Sequence, residues 1–389
     1  MVQGRQLARA RDFYVTTAII WLSMSIGMVV FTGVCYIYIW IRYPQPSAVL
    51  HPYSPRARAT ALHALSPSVA AGLFGEFDEL EAFRMYLYQP WVGFCERSFH
   101  SDRLNIDEGD PLPIRRTVEP PSTVAATRTI WLFGGSTQFG WGVPDDQTIA
   151  SNLSAILATG RTHYTVVNHG HTQFYSSQEA VLFATLLRRG HKCDVAIFLD
   201  GLNDSHFAVA DVPTFTGNTA LAFLKEEDAA AAENSRYIVI TPLFPPVRVL
   251  NGVLRRLAPK TSPQANPGAD RASKTKYDPV AIYQTNMSMI QRIAETENIH
   301  VSFYWQPTPF DYMAGAEQRR LGESDDEGIP SLNLSVHQSI KSSNFHFIAD
   351  LFKDDAYEDI YVDLGHYGDQ GTRRVAQAIA DGLKNDGLQ

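Results

Sequence analysis

The longest apolar segment of the chain lies near its N-terminus, where no residue from Phe13 to Ile41 is charged. A helix needs about 20 apolar residues to cross a hydrocarbon core about 30 Å thick, so this segment can span a membrane with some tilt. Trp21 and Trp40 lie near its two ends, where aromatic side chains favour the membrane interface. A cleaved signal peptide has a shorter apolar region, of roughly 7–15 residues. We therefore predict a transmembrane helix over residues 13–41.

The positive charges beside this segment predict its orientation. Arg5, Arg9 and Arg11 precede the segment, whereas Arg42 alone follows it directly. Positively charged residues are enriched on the cytoplasmic side of membrane helices. We therefore expect residues 1–12 to be cytoplasmic, with the rest of the chain outside, in the periplasm if the membrane is the inner membrane of a bacterium.

Proline dominates the next segment, residues 42–127. Two proline clusters, at 44–55 and 111–121, flank a more apolar middle near Met85 to Phe94. Because proline interrupts helices and central strands, the pattern predicts little regular structure. We expect a stalk followed by a packed N-terminal extension.

From Arg128 onward, short apolar runs alternate with amphipathic segments. Apolar runs that end at Gly, Asn or Asp predict buried strands, and apolar residues at a helical period predict helices. This alternation predicts an α/β domain over residues 128–389, with a parallel sheet covered on both faces. Residues 206–275 interrupt the alternation, so we predict an insertion there, as a lid or a partner-binding loop. The predicted strands are 129–133, 164–168, 195–199, 237–241 and 300–305, and the predicted helices are 148–157, 178–189, 279–296 and 371–384.

Composition and charge narrow the classes of ligand. The net charge of −8 comes from 41 acidic and 33 basic side chains, which argues against a nucleic-acid partner because such proteins need a basic face. Three cysteines are too few for a disulfide framework. His169 and His171 flank Gly170, but no third ligand follows at metal spacing. We therefore expect neither a metal nor a cofactor.

Polar residues follow the predicted strands and precede the last helix. The carboxyl ends of parallel strands meet at one edge of a sheet, so such residues can come together there. A serine hydroxyl attacks an acyl group only when a base takes its proton, and an imidazole oriented by a carboxylate provides that base. Asp363 precedes His366 by three residues and can reach its Nδ1 atom from the same turn. Ser136, His366 and Asp363 are therefore the candidate nucleophile, base and orienting carboxylate of an acyl-transfer site.

An acyl-transfer site also needs hydrogen-bond donors for the developing oxyanion. The backbone amide of Ser136 and the side-chain amide of Asn203 are candidates. Taken singly, each motif has an ordinary structural explanation: Gly-Gly-Ser forms turns, an isolated histidine lies on surfaces, and Asn203-Asp204 can cap a helix. Their combination, and their order along an alternating α/β chain, is what favours catalysis.

Residues 128–384 resemble the SGNH, or GDSL-type, hydrolases, and in particular their membrane-anchored bacterial members. The resemblance implies a flavodoxin-like three-layer α/β/α fold. It also implies a nucleophile at Ser136, a base at His366, an orienting Asp363 and an oxyanion donor at Asn203. In the first motif Gly135 stands where the commoner form has Asp. The motifs read Phe133-Gly134-Gly135-Ser136-Thr137-Gln138-Phe139-Gly140, then Gly201-Leu202-Asn203-Asp204, and last Asp363-Leu364-Gly365-His366.

One motif departs from the family pattern. It runs from Val167 to Gln173, and the oxyanion glycine of the family falls at the position of Gln173. A backbone N–H survives this change, so Gln173 can donate if it adopts the glycine's φ and ψ. Gly170 in a shifted loop is an alternative donor. The third alternative is an incomplete oxyanion hole.

Three functions remain open from the sequence. The first is a membrane-anchored serine hydrolase that acts on O-acyl esters of a carbohydrate or lipid. The second is an O-acyltransferase, in which a hydroxyl replaces water as the acceptor at the same site. The third is a non-catalytic SGNH-fold subunit of a membrane protein complex, for which the Gln173 departure is the motive.

Overall fold

The protein is described from a computed structural model, which places residues 2–42, 67–82, 85–121, 128–160, 162–209, 278–311, 328–363 and 365–388. The predicted strand at 237–241 and nearly all of the predicted insertion at 206–275 lie outside the described residues. The chain divides into two compact units, and the second of them, which comprises residues 52–225 and 267–389, contains the sheet.

The first unit includes the long helix α1 (Val2–Arg42). Its 22-residue segment Phe13–Val34 is long and apolar enough to cross a membrane, and none of it is buried within the protein. Large apolar side chains such as Trp21 and Leu22 are more than half exposed along it. The helix thus has the length and composition that the predicted transmembrane segment requires.

Within the described ranges the chain forms ten strands and ten α-helices. Strands β1 and β2 form a separate hairpin, and the other eight strands form the main sheet. The strands are β1 (Tyr86–Gln89), β2 (Gly93–Glu96), β3 (Phe99–His100), β4 (Asn105–Asp107), β5 (Ile114–Arg115), β6 (Arg128–Gly134), β7 (Tyr164–Gly170), β8 (Val195–Asp200), β9 (His300–Trp305) and β10 (Phe345–Phe347). The other helices are α2 (Pro67–Ala82), α3 (Ser136–Phe139), α4 (Ile149–Leu157), α5 (Ser176–Arg188), α6 (Leu202–Val209), α7 (Pro279–Glu297), α8 (Gly328–Ser339), α9 (Tyr357–Ile360) and α10 (Asp369–Asn385).

Five parallel strands form the centre of the main sheet, in the order β7-β6-β8-β9-β10. The first of them along the chain, β6, therefore lies between the second and the third, which is the order of flavodoxin-like folds. In such a fold, groups at the carboxyl ends of the first and third strands face the same crevice. The predicted α/β fold with a parallel sheet is confirmed.

Alternate residues of the central strands pack into two different cores. Trp131 and Phe133 of β6 point to the face covered by α5, α7 and α8. Ile130 and Leu132 point to the opposite face, which α4 and α10 cover. Because both faces are covered, the strands consist of near-continuous apolar runs; all six residues of β8 are buried.

The expectation of little regular structure in residues 42–127 is wrong for the described part of that segment. Strands β3, β4 and β5 extend the main sheet in antiparallel fashion, and Arg115 of β5 pairs with Asn168 of β7. The prolines did not prevent this, because Pro111 and Pro113 lie in the turn between β4 and β5, outside the strands. The boundary that we expected at residue 127 therefore runs through one sheet.

Helix α2 joins the same structure through a third core. Leu73 and Phe77 of α2 are buried against Phe139, which belongs to the nucleophile motif, and Trp141, which directly follows it. The rings of Phe77 and Trp141 lie 4.4 Å apart. Helix α2 of the N-terminal extension thus packs against the segment that carries Ser136.

Replacing Leu73 with alanine tests whether this extension is an integral part of the fold. Leu73 is completely buried, so Leu73→Ala should leave a cavity and lower the free energy of unfolding by about 2–5 kcal/mol. Glu79→Ala on the exposed face of α2 should change it by less than about 0.5 kcal/mol. Urea unfolding of the full chain in detergent measures both, and equal stability of the two variants would contradict the packing of α2.

Candidate active site

Ser136 lies at a sharp turn from a buried strand into a helix. Strand β6 ends at Gly134, and Ser136 is the first residue of α3. A side chain at Gly134 would meet Gln138 Cβ at 2.5 Å, so only glycine fits the turn. The first amides of a helix have no acceptor within it, and they carry the positive end of its dipole. The Ser136 amide is one of these first amides, which makes it a candidate oxyanion donor.

His366 and Asp363 complete a hydrogen-bonded series with Ser136. The Nε2 atom of His366 is 2.6 Å from Ser136 Oγ. Its Nδ1 atom is 2.7 Å from both carboxylate oxygens of Asp363. The three residues that the sequence singled out for acyl transfer are thus brought together, with the Nδ1 side of the imidazole toward the carboxylate and the Nε2 side toward the serine. An imidazole held in this way can take the serine proton during attack on an acyl carbon.

The local backbone fixes the Asp363 carboxylate. Its Oδ1 atom accepts hydrogen bonds from the amides of Gly365, at 3.0 Å, and His366, at 2.9 Å. Burial raises the pKa of Asp363, but the neighbouring His366 charge and these hydrogen bonds outweigh burial and hold its pKa below the usual value. The carboxylate is therefore ionised at neutral pH and can stabilise an imidazolium.

Asn203 approaches the nucleophile turn very closely. Its side-chain amide donates a hydrogen bond of 2.6 Å to the carbonyl oxygen of Phe174. A Cβ atom built on Gly135 would lie only 2.3 Å from Asn203 Nδ2. The φ of Gly135 is −80°, which any residue can adopt, so the close approach and not the backbone conformation requires glycine here. The aspartate of the commoner motif would displace the Asn203 amide.

Gln173 has a left-handed backbone, with φ of 62°. That region is the one for which glycine is favoured and other residues are uncommon. The position therefore keeps the conformation typical of the glycine that the family resemblance implies. Gly170 differs: its amide donates to Asn168 Oδ1 at 3.0 Å, and a Cβ there would lie 2.4 Å from the Phe139 amide nitrogen. The Gly170 amide is thus directed into the protein, which disfavours it as the alternative oxyanion donor.

Asp204 interacts with backbone groups at the start of its own helix, which begins at Leu202, and also caps a neighbouring helix. Its carboxylate accepts hydrogen bonds from the backbone amide and the hydroxyl of Ser176, the first residue of α5. Burial raises the pKa of Asp204 to about 6. Burial likewise raises the pKa of Asp200, whose Oδ2 atom accepts a hydrogen bond from Tyr283 Oη at 3.2 Å. These buried groups fix the start of α6, which carries Asn203, against the start of α5.

Several residues beside the site were not singled out from the sequence. Gln306 follows β9 and accepts a hydrogen bond of 2.6 Å from Thr137, the neighbour of the nucleophile. Trp141 lies between Phe77 and His366, with its ring 6.2 Å from the imidazole. Glu96 binds the loop that follows β7. Of these three residues, only Gln306 had a local signal in the sequence, as a polar residue at the end of a strand. Trp141 and Glu96 make their contacts with residues that are distant in the sequence.

The two histidines near the oxyanion loop are both buried. His169 lies among aromatic rings, and burial lowers its pKa to about 3, so it is neutral. His171 Nδ1 lies 2.6 Å from a carboxylate oxygen of Glu96. Among the residues that the structure describes, no three His, Cys, Asp or Glu side chains are grouped so that they could hold a metal ion.

Comparisons with known proteins find likenesses in structure only. No protein-family model matches the sequence, and no curated protein is similar to it. TesA matches with 14% identity and a TM-score of 0.37, over 66% of this chain and 99% of that one. A catalytic mutant of Axe2, an acetylxylan esterase from Geobacillus stearothermophilus, matches with 11% identity and a TM-score of 0.38, over 67% and 96%. A lipase/acylhydrolase from Enterococcus faecalis matches with 14% identity and a TM-score of 0.37, over 67% and 97%. The chemistry of the site must therefore be inferred from its own geometry.

A methyl group at position 135 should disrupt the site without unfolding the protein. Because the new Cβ would lie 2.3 Å from Asn203 Nδ2, Gly135→Ala should push the amide aside and slow labelling of Ser136 by a fluorophosphonate at least about tenfold. Gly75→Ala, where a new Cβ meets nothing within 4 Å, is the matched control and should label like the wild type. Equal labelling of all three proteins would contradict the proposed contact between Asn203 and the nucleophile turn.

Proposed function

We propose that the protein is a membrane-anchored serine hydrolase that cleaves O-acyl esters of a carbohydrate or lipid. The observation that carries this proposal is the 2.6 Å contact between His366 Nε2 and Ser136 Oγ, with Asp363 on the other side of the imidazole. A nucleophile, a base and an orienting carboxylate in this order are the requirements of ester cleavage through an acyl-enzyme.

The reaction would proceed in two steps. Ser136 Oγ attacks the acyl carbon while His366 takes its proton, and the imidazolium then gives that proton to the departing alcohol. Water next attacks the acyl-enzyme, with His366 again as base, and releases the acid and free Ser136. The amides of Ser136 and Gln173 and the side chain of Asn203 would donate hydrogen bonds to the oxyanion in both steps.

The alternative of a non-catalytic subunit is less well supported. Its motive was Gln173, and co-purification in a stoichiometric complex together with a Ser136–His366 distance too long for a hydrogen bond would favour it. The observed 2.6 Å distance and the left-handed Gln173 both favour a working site. An O-acyltransferase uses the same residues, with a hydroxyl in place of water, and stays a second candidate because the geometry of the triad suits either acceptor.

Replacing the nucleophile tests the proposal directly. Ser136→Ala in the full chain should abolish hydrolysis of p-nitrophenyl acetate and labelling by a fluorophosphonate, because it removes the hydroxyl that lies 2.6 Å from His366 Nε2. Ser288→Ala on the exposed face of α7 is the matched control and should retain both. If the wild-type protein is not labelled at Ser136, or if Ser136→Ala retains turnover, the proposal is wrong. Adding a sugar acceptor and measuring the ratio of transfer to hydrolysis distinguishes transferase from hydrolase.

We infer that α1 anchors the protein in the inner membrane of a bacterium, with residues 1–12 in the cytoplasm and the catalytic domain in the periplasm. The apolar segment Phe13–Val34 and the excess of arginine before it support this orientation. A membrane-impermeant fluorophosphonate should label Ser136 in intact spheroplasts as fully as after lysis. Labelling that appears only after lysis would place the domain in the cytoplasm.

A further inference from the structure

The β1–β2 hairpin of the N-terminal extension is hydrogen-bonded to the loop that follows β7. Glu96, at the end of β2, is completely buried. One of its carboxylate oxygens lies 2.6 Å from His171 Nδ1, and the other accepts hydrogen bonds of 2.5 Å from both the amide and the hydroxyl of Thr172. A carboxylate with several such bonds in a buried site holds its partners strongly. Thr172 directly precedes Gln173.

The partner strand of the hairpin holds the same loop from a second point. Tyr86 of β1 is paired directly with Glu96 across the hairpin. Its hydroxyl lies 2.8 Å from Thr172 Oγ1 and accepts a hydrogen bond of 3.4 Å from the side chain of Gln173. Both strands of the hairpin therefore contact Thr172, and Tyr86 of β1 contacts Gln173 as well.

The hairpin also positions the residue on the other side of Gln173. The ring of Phe94, in the middle of β2, packs edge to face against Phe174 at 5.5 Å. The carbonyl oxygen of Phe174 accepts the hydrogen bond from the Asn203 amide. The contacts of this one hairpin thus extend to both proposed oxyanion donors outside the nucleophile turn, Gln173 and Asn203.

A constraint of this kind is what Gln173 needs. A residue with a side chain disfavours the left-handed region, and it persists there only when its surroundings impose it. Glycine enters the same region at no steric cost. Gln173 is flanked on one side by Thr172, which Glu96 and Tyr86 bind, and on the other by Phe174, which Phe94 contacts.

We propose that Glu96 is a positioning residue of the active site, whose hydrogen bonds to His171 and Thr172 hold Gln173 in the left-handed conformation that turns its amide toward the oxyanion. This inference rests on the proposed function. The N-terminal extension, in this view, supplies the backbone constraint that replaces the glycine of the resembling family. Glu96 itself does not contact the reacting atoms, so its removal should slow the chemical step and leave substrate binding nearly unchanged.

A double-mutant cycle between positions 96 and 173 tests the proposal. In the full chain in detergent, Glu96→Ala should lower kcat for p-nitrophenyl acetate by about 10- to 100-fold, with KM within about twofold, because one oxyanion donor is lost or misdirected. In a protein that also carries Gln173→Gly, Glu96→Ala should cost less than about fivefold, because glycine reaches the left-handed region without the hairpin. Adding Gln173→Gly to Glu96→Ala should therefore restore kcat but not Tm, since the hydrogen bonds of Glu96 stay lost.

Two further variants keep the test decisive. Thr172→Val removes the hydroxyl that binds both Glu96 and Tyr86 without opening a cavity. It should lower kcat severalfold, and the loss should be smaller in a protein that also carries Gln173→Gly. This variant decides the case if Glu96→Ala does not fold. Tyr88→Phe, on the exposed part of β1, is the matched control and should retain wild-type kcat.

The outcomes separate this inference from the proposed function. If Ser136→Ala is inactive but Glu96→Ala has wild-type kcat, ester hydrolysis stands and the positioning role is overturned. The role is overturned as well if Glu96→Ala costs the same factor with and without Gln173→Gly, because that result is the one expected of a purely structural residue. An inactive wild-type protein would overturn the proposed function and this inference with it.

Discussion

The site depends on one hydrogen bond, between Ser136 Oγ and His366 Nε2, that joins residues 230 positions apart. For it to form, the end of the first central strand and the segment before the last helix must meet within a fraction of an ångström. The parallel sheet achieves this because β6 lies in its middle and α10 packs on one face of it. The glycines at 134 and 135 let the chain turn in the narrow space that remains. The geometry of the site is thus set by the arrangement of strands and helices in the fold.

The second constraint is the crowding around the nucleophile turn. Gly135 lies against the Asn203 amide, and Gly170 lies against the backbone of the helix that begins with Ser136. Each contact brings a different strand end against β6. Position 135 holds glycine where the resembling family more commonly has aspartate, and the close Asn203 amide explains this choice. Position 173 holds glutamine where that family has glycine, and the adjacent β1–β2 hairpin contacts this residue. Both departures from the motifs of the resembling family therefore have a structural explanation in the residues around them.

Much of this could be predicted from sequence where the signal is local. The strand at 300–305 ends where the apolar run ends, and Thr148 precedes α4 and accepts the Ser151 amide as a capping residue. The extension could not be predicted, because β3–β5 have only two or three residues each and gain their stability by adding to an existing sheet. Strand β10 is equally short. Glu96 was missed for a related reason: it lies 75 residues before His171, and nothing in its own neighbourhood indicates a partner.

The pairing of β5 with β7 has a consequence for how the chain can be divided. Residues 128–384 contain all the segments that resemble the motifs of the SGNH family, and they would be the natural fragment to isolate. In that fragment β7 would become an edge strand, with the backbone groups that now face β5 open to another molecule. The buried surfaces of Phe139 and Trp141 would also lose the cover of α2. A fragment cut at the motif boundary would therefore associate with itself through an exposed sheet edge, and its insolubility would not test the roles of Ser136, His366 and Asp363.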